Sequence, residues 1–173
     1  MKKYILIFAL NLIVCGSFAT TVGDLMFNYK GVEGSIYVDA TENNLSSQQH
    51  LLINSWLTNF SRFYFNGEEG NIATVANLKS LKLLSLCNCD NTTKSSYMND
   101  ALRAQSGKMD CLLKMKKDGE YMNIYGKAKN GMVKELVVVT FGQCCRVARL
   151  EGNFEMAKLQ AAAESNKYYT CVK

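Results

Sequence analysis

The chain has 173 residues, 20 basic and 15 acidic side chains, a net charge of +5 and 48% hydrophobic residues. That is one domain's length with enough apolar material for a real core, and the charge is too mild to point to nucleic acid. His50 is the only histidine and there is no proline. The first fact removes most schemes in which a nucleophile needs an imidazole base, and the second leaves turns to Gly, Asn and Asp.

The chain opens MKKYILIFALNLIVCGSFA. Lys2 and Lys3, an apolar run over residues 4–14 and the small-x-small triplet Ser17-Phe18-Ala19 read as an export signal cut after Ala19. Asn11 breaks the run, which is shorter than the roughly 20 residues a membrane-spanning helix needs. Residues 1–19 are therefore expected to be a signal peptide and residues 20–173 a single domain. Leu12-Ile13-Val14-Cys15 also has the outline of a lipidation site, with bulky Val14 against it. Attachment to a membrane is expected only if Cys15 carries lipid. The mature chain keeps 18 basic and 15 acidic residues.

Residues 34–38 read as a short strand. Ser46-Ser47-Gln48-Gln49 has the form of a capping box, followed by Leu52, Ile53, Trp56, Phe60 and Phe63 at helical spacing. His50 falls just off that stripe and is expected to face solvent or make a local hydrogen bond. Glu68 and Glu69, flanked by Gly67 and Gly70, sit in a loop, and neighbours on a turn rarely hold the separation that glycoside hydrolysis needs. Residues 81–87 read as a second strand. A helix over residues 95–105 would turn Tyr97, Met98, Ala101 and Leu102 inward, with Gly107 as its C-terminal cap.

Asp118-Gly119 and Asn130-Gly131 are the residue pairs of type I′ hairpins, each between strand-like runs. Pairing Lys117 with Glu120 sets Met115 opposite Met122, Leu113 opposite Ile124 and Cys111 opposite Gly126. Pairing Lys129 with Met132 sets Ile124 opposite Val137 and Met122 opposite Val139. One face then carries Met109, Cys111, Leu113, Met115, Met122, Ile124, Val133, Val137, Val139 and Phe141. The other carries Lys114, Lys116, Asn123, Lys127 and Lys134, with Leu112, Tyr125 and Leu136 as a small apolar row that reads as a candidate contact surface. The basic residues between Lys108 and Lys134 are interspersed with acids, as on a solvated strand face. Glu135 falls on the apolar side, where it needs either the sheet margin or a partner. Gly142-Gln143 turns the chain into a fourth run, residues 144–150, ended by Gly152. A last helix is expected from Asn153 through Phe154, Ala157, Leu159 and Ala163. The order predicts an α+β fold: a largely antiparallel sheet with a C-terminal four-strand meander and about three helices packed on one face.

The stretch VKELVVVTFGQCCRVARLEGNFEMAKLQAAAE, with DLMFNYKGVEGSIYVDA and LKSLKLLSLC before it, resembles the domain of unknown function 4252 family, small exported proteins of Bacteroidota. The likeness spans nearly the whole mature chain and consists of hydrophobic patterns with a few glycines. It implies a periplasmic or membrane-attached protein without an assigned activity and supplies no catalytic residues. The cysteine content is a departure that the resemblance leaves unexplained.

Six cysteines follow Cys15: Cys87, Cys89, Cys111, Cys144, Cys145 and Cys171. An even number in an exported chain invites disulfides, and six allow fifteen connectivities. Cys111 is expected to pack in the core. Cys87 and Cys89, two apart on a strand, point the same way, whereas adjacent Cys144 and Cys145 point to opposite faces. As a metal set, Cys87, Cys89, Cys144 and Cys145 lack the usual ligand spacing, and no Cys-x-x-Cys motif is present. No cofactor is expected. The sequence thus predicts a non-catalytic binding or interaction module of the cell envelope with an unidentified envelope protein as partner. The alternative is a thiol- or metal-dependent protein using those four cysteines.

Overall fold

The computed structural model describes residues 21–104, 109–117 and 119–165. The expected export signal with Cys15, the Gly107 cap, Asp118 of the first hairpin turn and Cys171 lie outside the described residues. The elements are α1 (Val22–Tyr29), β1 (Ile36–Asp39), α2 (Ser47–Tyr64), α3 (Ile72–Val75), β2 (Ser80–Ser85) and α4 (Asn91–Arg103). They continue with β3 (Asp110–Lys117), β4 (Glu120–Lys129), β5 (Met132–Phe141), β6 (Arg146–Glu155) and α5 (Met156–Ser165). The strands form one antiparallel sheet in the order β1-β2-β6-β5-β4-β3. The α+β class and the C-terminal meander are as predicted.

Both hairpins form where expected. Gly119, Asn130 and Gly131 have positive φ, the backbone that a type I′ turn demands. Lys117 pairs with Glu120, Leu113 with Ile124 and Lys129 with Met132. Beyond the turns, three bulges change the register. Leu112 is the extra residue on β3, so Cys111 pairs with Tyr125 rather than Gly126. A second bulge on β5 sets Ile124 opposite Val138 and Met122 opposite Thr140, and a third interrupts β5 against β6. Gly126 marks the second: a Cβ there would lie 2.6 Å from the Glu135 carbonyl oxygen and 2.7 Å from Val133 Cγ1. Only a glycine lets the two backbones approach so closely.

Because strand side chains alternate with period 2, a one-residue slip exchanges the faces. Leu113, Ile124, Val138, Ala148, Leu83 and Val38 form a row across all six strands and are buried beneath α2, α3 and α5. Val137, Val139, Phe141, Val147, Leu84 and Leu86 face the other way, into a second core with α1 and α4. Helices therefore cover both faces of the sheet, and the single apolar face expected from the sequence is corrected to two. The predicted contact row is also broken. Leu112 and Leu136 join the first core and Tyr125 the second, and all three are buried. Glu135 does have a partner: its Oε1 meets Arg149 Nε in an ion pair that is out of hydrogen-bonding alignment.

The helices follow their caps. Ser46 Oγ accepts from the Gln49 N–H while Gln49 Oε1 accepts from the Ser46 N–H, and Gln49 Nε2 donates to the Tyr37 carbonyl at 3.1 Å, tying the start of α2 to β1. Trp56 stacks on Phe60 at 4.9 Å. α4 begins earlier than predicted, with Asp90 as its cap accepting from the Thr93 N–H at 2.8 Å. It turns Tyr97 and Ala101 inward but leaves Leu102 60% exposed. The final helix starts at Met156, because Phe154 and Glu155 are paired with Val133 and Met132 in the sheet. α1 and α3 had no counterpart in the sequence reading. α1 has its own capping box, Thr21 with Asp24.

Candidate functional site

Two places on the α1 and α4 side stand out, one closed by sulfur and one open. At the end of β2 the ladder with β6 continues one step past Ser85, with the Leu86 N–H donating to the Cys145 carbonyl at 2.9 Å. This sets the Cys87-Asn88-Cys89 loop beside the β5–β6 turn. Cys87 and Cys144 form a disulfide with a Cα–Cα separation of 4.7 Å, and Ser85 Oγ donates to Cys87 Sγ at 3.1 Å. Cys89 and Cys145 are buried within the second core. Burial pushes both thiols up in pKa, Asp90 adding to the effect at Cys89 and a hydrogen bond with the Gly142 backbone opposing it at Cys145.

Neither cysteine pair lies on a strand as expected: Cys144 and Cys145 precede β6, one half-buried and the other buried, and β2 ends at Ser85 before a turn closed by the Cys89 N–H to Leu86 carbonyl bond, 3.1 Å. Four of the predicted cysteines are thus brought to one end of the sheet, as a disulfide and two buried thiols. Cys111 lies apart on β3, half-buried. Among the described residues, no group of three or more His, Cys, Asp or Glu side chains is placed to hold a metal ion.

α4 leaves this corner and is pinned across the sheet by tyrosines. The Tyr97 hydroxyl, fully buried, reaches the carbonyls of Arg146 at 2.8 Å and Thr140 at 3.3 Å. Tyr29 packs edge-on against it at 5.4 Å and donates to Asp100 Oδ2 at 2.8 Å. Burial, and then the Asp100 carboxylate, push the Tyr29 phenol well above its ordinary pKa.

Past the end of α4, a cleft of about 320 Å³ opens over β3 and β4. Leu102 and Ala104 form one wall and Lys114 and Lys116 the opposite lip. The floor is aromatic: Tyr121 and Phe141 stack at 4.8 Å with planes 10° apart, and Lys116 Nζ lies 5.0 Å from the centre of the Tyr121 ring. Between them Asn123 Nδ2 donates to the Tyr125 hydroxyl at 3.3 Å, both residues buried. Burial raises the Tyr125 pKa. Among the described residues, no Asp or Glu lines the cleft. Sequence pattern alone misses the cleft, because in the unbulged register Tyr125 falls in line with Leu112 and Leu136. The available signal was the period-2 series Tyr121, Asn123, Tyr125 opposite Lys114 and Lys116.

The other sequence candidates are elsewhere. His50 is exposed on the first turn of α2. Glu68 and Glu69 are exposed beside Arg62 in a polar hollow of about 590 Å³ between α2 and the loop before α3.

These features define an α+β protein built on one antiparallel sheet, layered with helices on both faces and clamped at one corner by a disulfide. Residues 39–162 match the model of the family described as Domain of unknown function (DUF4252), and the chain belongs to that family. The match runs from the last residue of β1 into α5, and so includes both the clamp and the cleft. No curated protein and no solved structure matches the chain.

Proposed function

We propose that the protein is an exported, non-catalytic binding module of the cell envelope whose cleft over β3 and β4 takes an anion with a flat apolar part. The cleft carries this reading. Its size is at the lower end of small-molecule sites, and an apolar wall with a few placed polar groups is their usual make-up. Lys114 and Lys116 supply positive charge, and among the described residues no carboxylate lines the site to neutralise it. The stacked Tyr121 and Phe141 offer a flat surface, and the Asn123 amide and Tyr125 hydroxyl are buried polar groups on the floor. Export is supported by the charged, apolar and small-residue pattern of residues 1–19. The Cys87–Cys144 disulfide suits an oxidising compartment.

The test is a fluorescence titration with anilinonaphthalene sulfonate, an anion with a flat aromatic system. Saturable one-site binding is expected, weakened about tenfold, or roughly 1.4 kcal/mol, by Lys116→Glu, and reduced again by Tyr121→Ala. Both variants should keep the wild-type circular dichroism spectrum. Binding that is unsaturable, or equal in the three proteins, removes the reading. Export is tested separately: the intact mass of protein isolated from cells should correspond to a chain beginning at Thr20.

A thiol-dependent activity is the second reading, favoured by the gathering of Cys87, Cys89, Cys144 and Cys145 at one corner. It requires the half-buried disulfide to be the reacting group. Loss of an activity on reduction, without loss of fold, would select it.

A further inference from the structure

We propose that Cys89 and Cys145 form a second disulfide, buried beside the first, so that the β2–α4 loop and the β5–β6 turn are joined by two adjacent covalent bonds. The backbones of the two cysteines are held from one residue. Leu86 donates its N–H to the Cys145 carbonyl at 2.9 Å and accepts the Cys89 N–H on its own carbonyl at 3.1 Å. The Cys87–Cys144 bond already sets the same two segments 4.7 Å apart between Cα atoms. Stepping one residue along the β5–β6 turn, and two along the other loop through its turn, brings the chain from that half-buried pair to the inner one. Cys89 and Cys145 both lie in the core under α4, 5% and 1% exposed. The loop has little freedom to carry Cys89 away, since a Cβ at Gly34 would sit 2.7 Å from the Asn88 carbonyl oxygen and 3.1 Å from Cys89 Cα.

The oxidant is a small disulfide such as oxidised glutathione. One cysteine thiolate attacks it, releasing a molecule of glutathione and forming a mixed disulfide. The second thiolate then attacks the protein sulfur of that mixed disulfide and releases the other glutathione. The protein loses two protons and two electrons, and one glutathione disulfide becomes two thiols. The reacting species is the thiolate, which burial disfavours at both positions. The bond therefore closes during folding, before α4 seals the core.

Refolding of the reduced full-length chain with a glutathione couple, followed by denaturation, iodoacetamide and trypsin, reads the outcome directly. Cys87 and Cys89 fall on one tryptic peptide, residues 83–94, and Cys144 and Cys145 on another, residues 135–146. Two bonds give the linked peptides with no alkyl group; the Cys87–Cys144 bond alone gives the same pair carrying two. The unalkylated pair is expected. Two alkyl groups on it, or Cys89 or Cys145 joined to any other peptide, overturns the proposal without needing a variant to fold. The Cys87→Ser, Cys144→Ser protein tests the inner pair alone. If it folds by circular dichroism, its two peptides should still be linked, and finding them separate also overturns the proposal.

Discussion

The two faces of the sheet are covered by different means. Over the row from Leu113 to Val38, the 18-residue α2 lays down Trp56, Phe60, Phe63 and Tyr64, and α5 adds Leu159, Ala162 and Ala163. That face is held by apolar area, worth roughly 25 cal/mol per Å² removed from water. The opposite face has α1, of 8 residues, and α4, whose sequence is largely polar. There, covalent and hydroxyl anchors do much of the holding: the cysteine corner at the start of α4, Tyr97 on the Arg146 and Thr140 carbonyls, and Tyr29 on Asp100. Both faces are cores, but the helices on the anchored side leave part of β3 and β4 uncovered, and that uncovered part is the cleft.

The comparison can be broken most severely on the apolar side. Phe154→Ala empties a fully buried position in the first core and is expected to cost about 3 to 5 kcal/mol in urea denaturation. On the anchored side, reduction by dithiothreitol opens every link at the cysteine corner, where the Cys87–Cys144 bond spans 57 residues. It should cost about 3 to 4 kcal/mol by loop-closure entropy, with amide exchange rising first at the start of α4. Should exchange rise first in α2 instead, the division of labour between the faces is wrong. Tyr97→Phe keeps the ring and removes the hydroxyl, so about 1 to 2 kcal/mol is expected from the carbonyls left without it, again in chemical denaturation.

The smallest effect is electrostatic. Hydrogen bonds from Thr21, Thr41 and Thr93 hold Asp24, Asp39 and Asp90 below the ordinary aspartate pKa, with Lys82 helping at Asp39. A carboxylate with a lowered folded-state pKa contributes stability that is complete above the unfolded value and disappears as pH falls through the folded one. The thermal midpoint should therefore hold steady down to about pH 5 and decline toward about pH 2. Asp39→Asn should lower the midpoint at neutral pH and flatten that decline.

Several elements were legible before any fold was known because their causes are local. The Asn130-Gly131 turn needs two residues tolerant of positive φ, and the capping box of α2 is complete within Ser46 to Gln49. α1 was equally local, with Thr21 and Asp24 three apart, but its apolar positions are only Val22, Leu25 and Tyr29, too few to stand out beside an apolar leader. The start of α5 was misplaced because Asn153 is a good cap in isolation. Pairing of β6 with β5 outweighed it.

By itself, then, the sequence determined the class, the four-strand meander, both hairpin turns, the amphipathic α2 and the family to which the chain belongs. Only the tertiary structure decided which face each residue of β5 occupies, that both faces are covered, which cysteines meet, and where the cleft opens. The reason is cumulative register. A bulge such as the one opposite Gly126 arises where two backbones press together, a condition no stretch of one strand contains. Each slip then exchanges inside for outside for every residue beyond it.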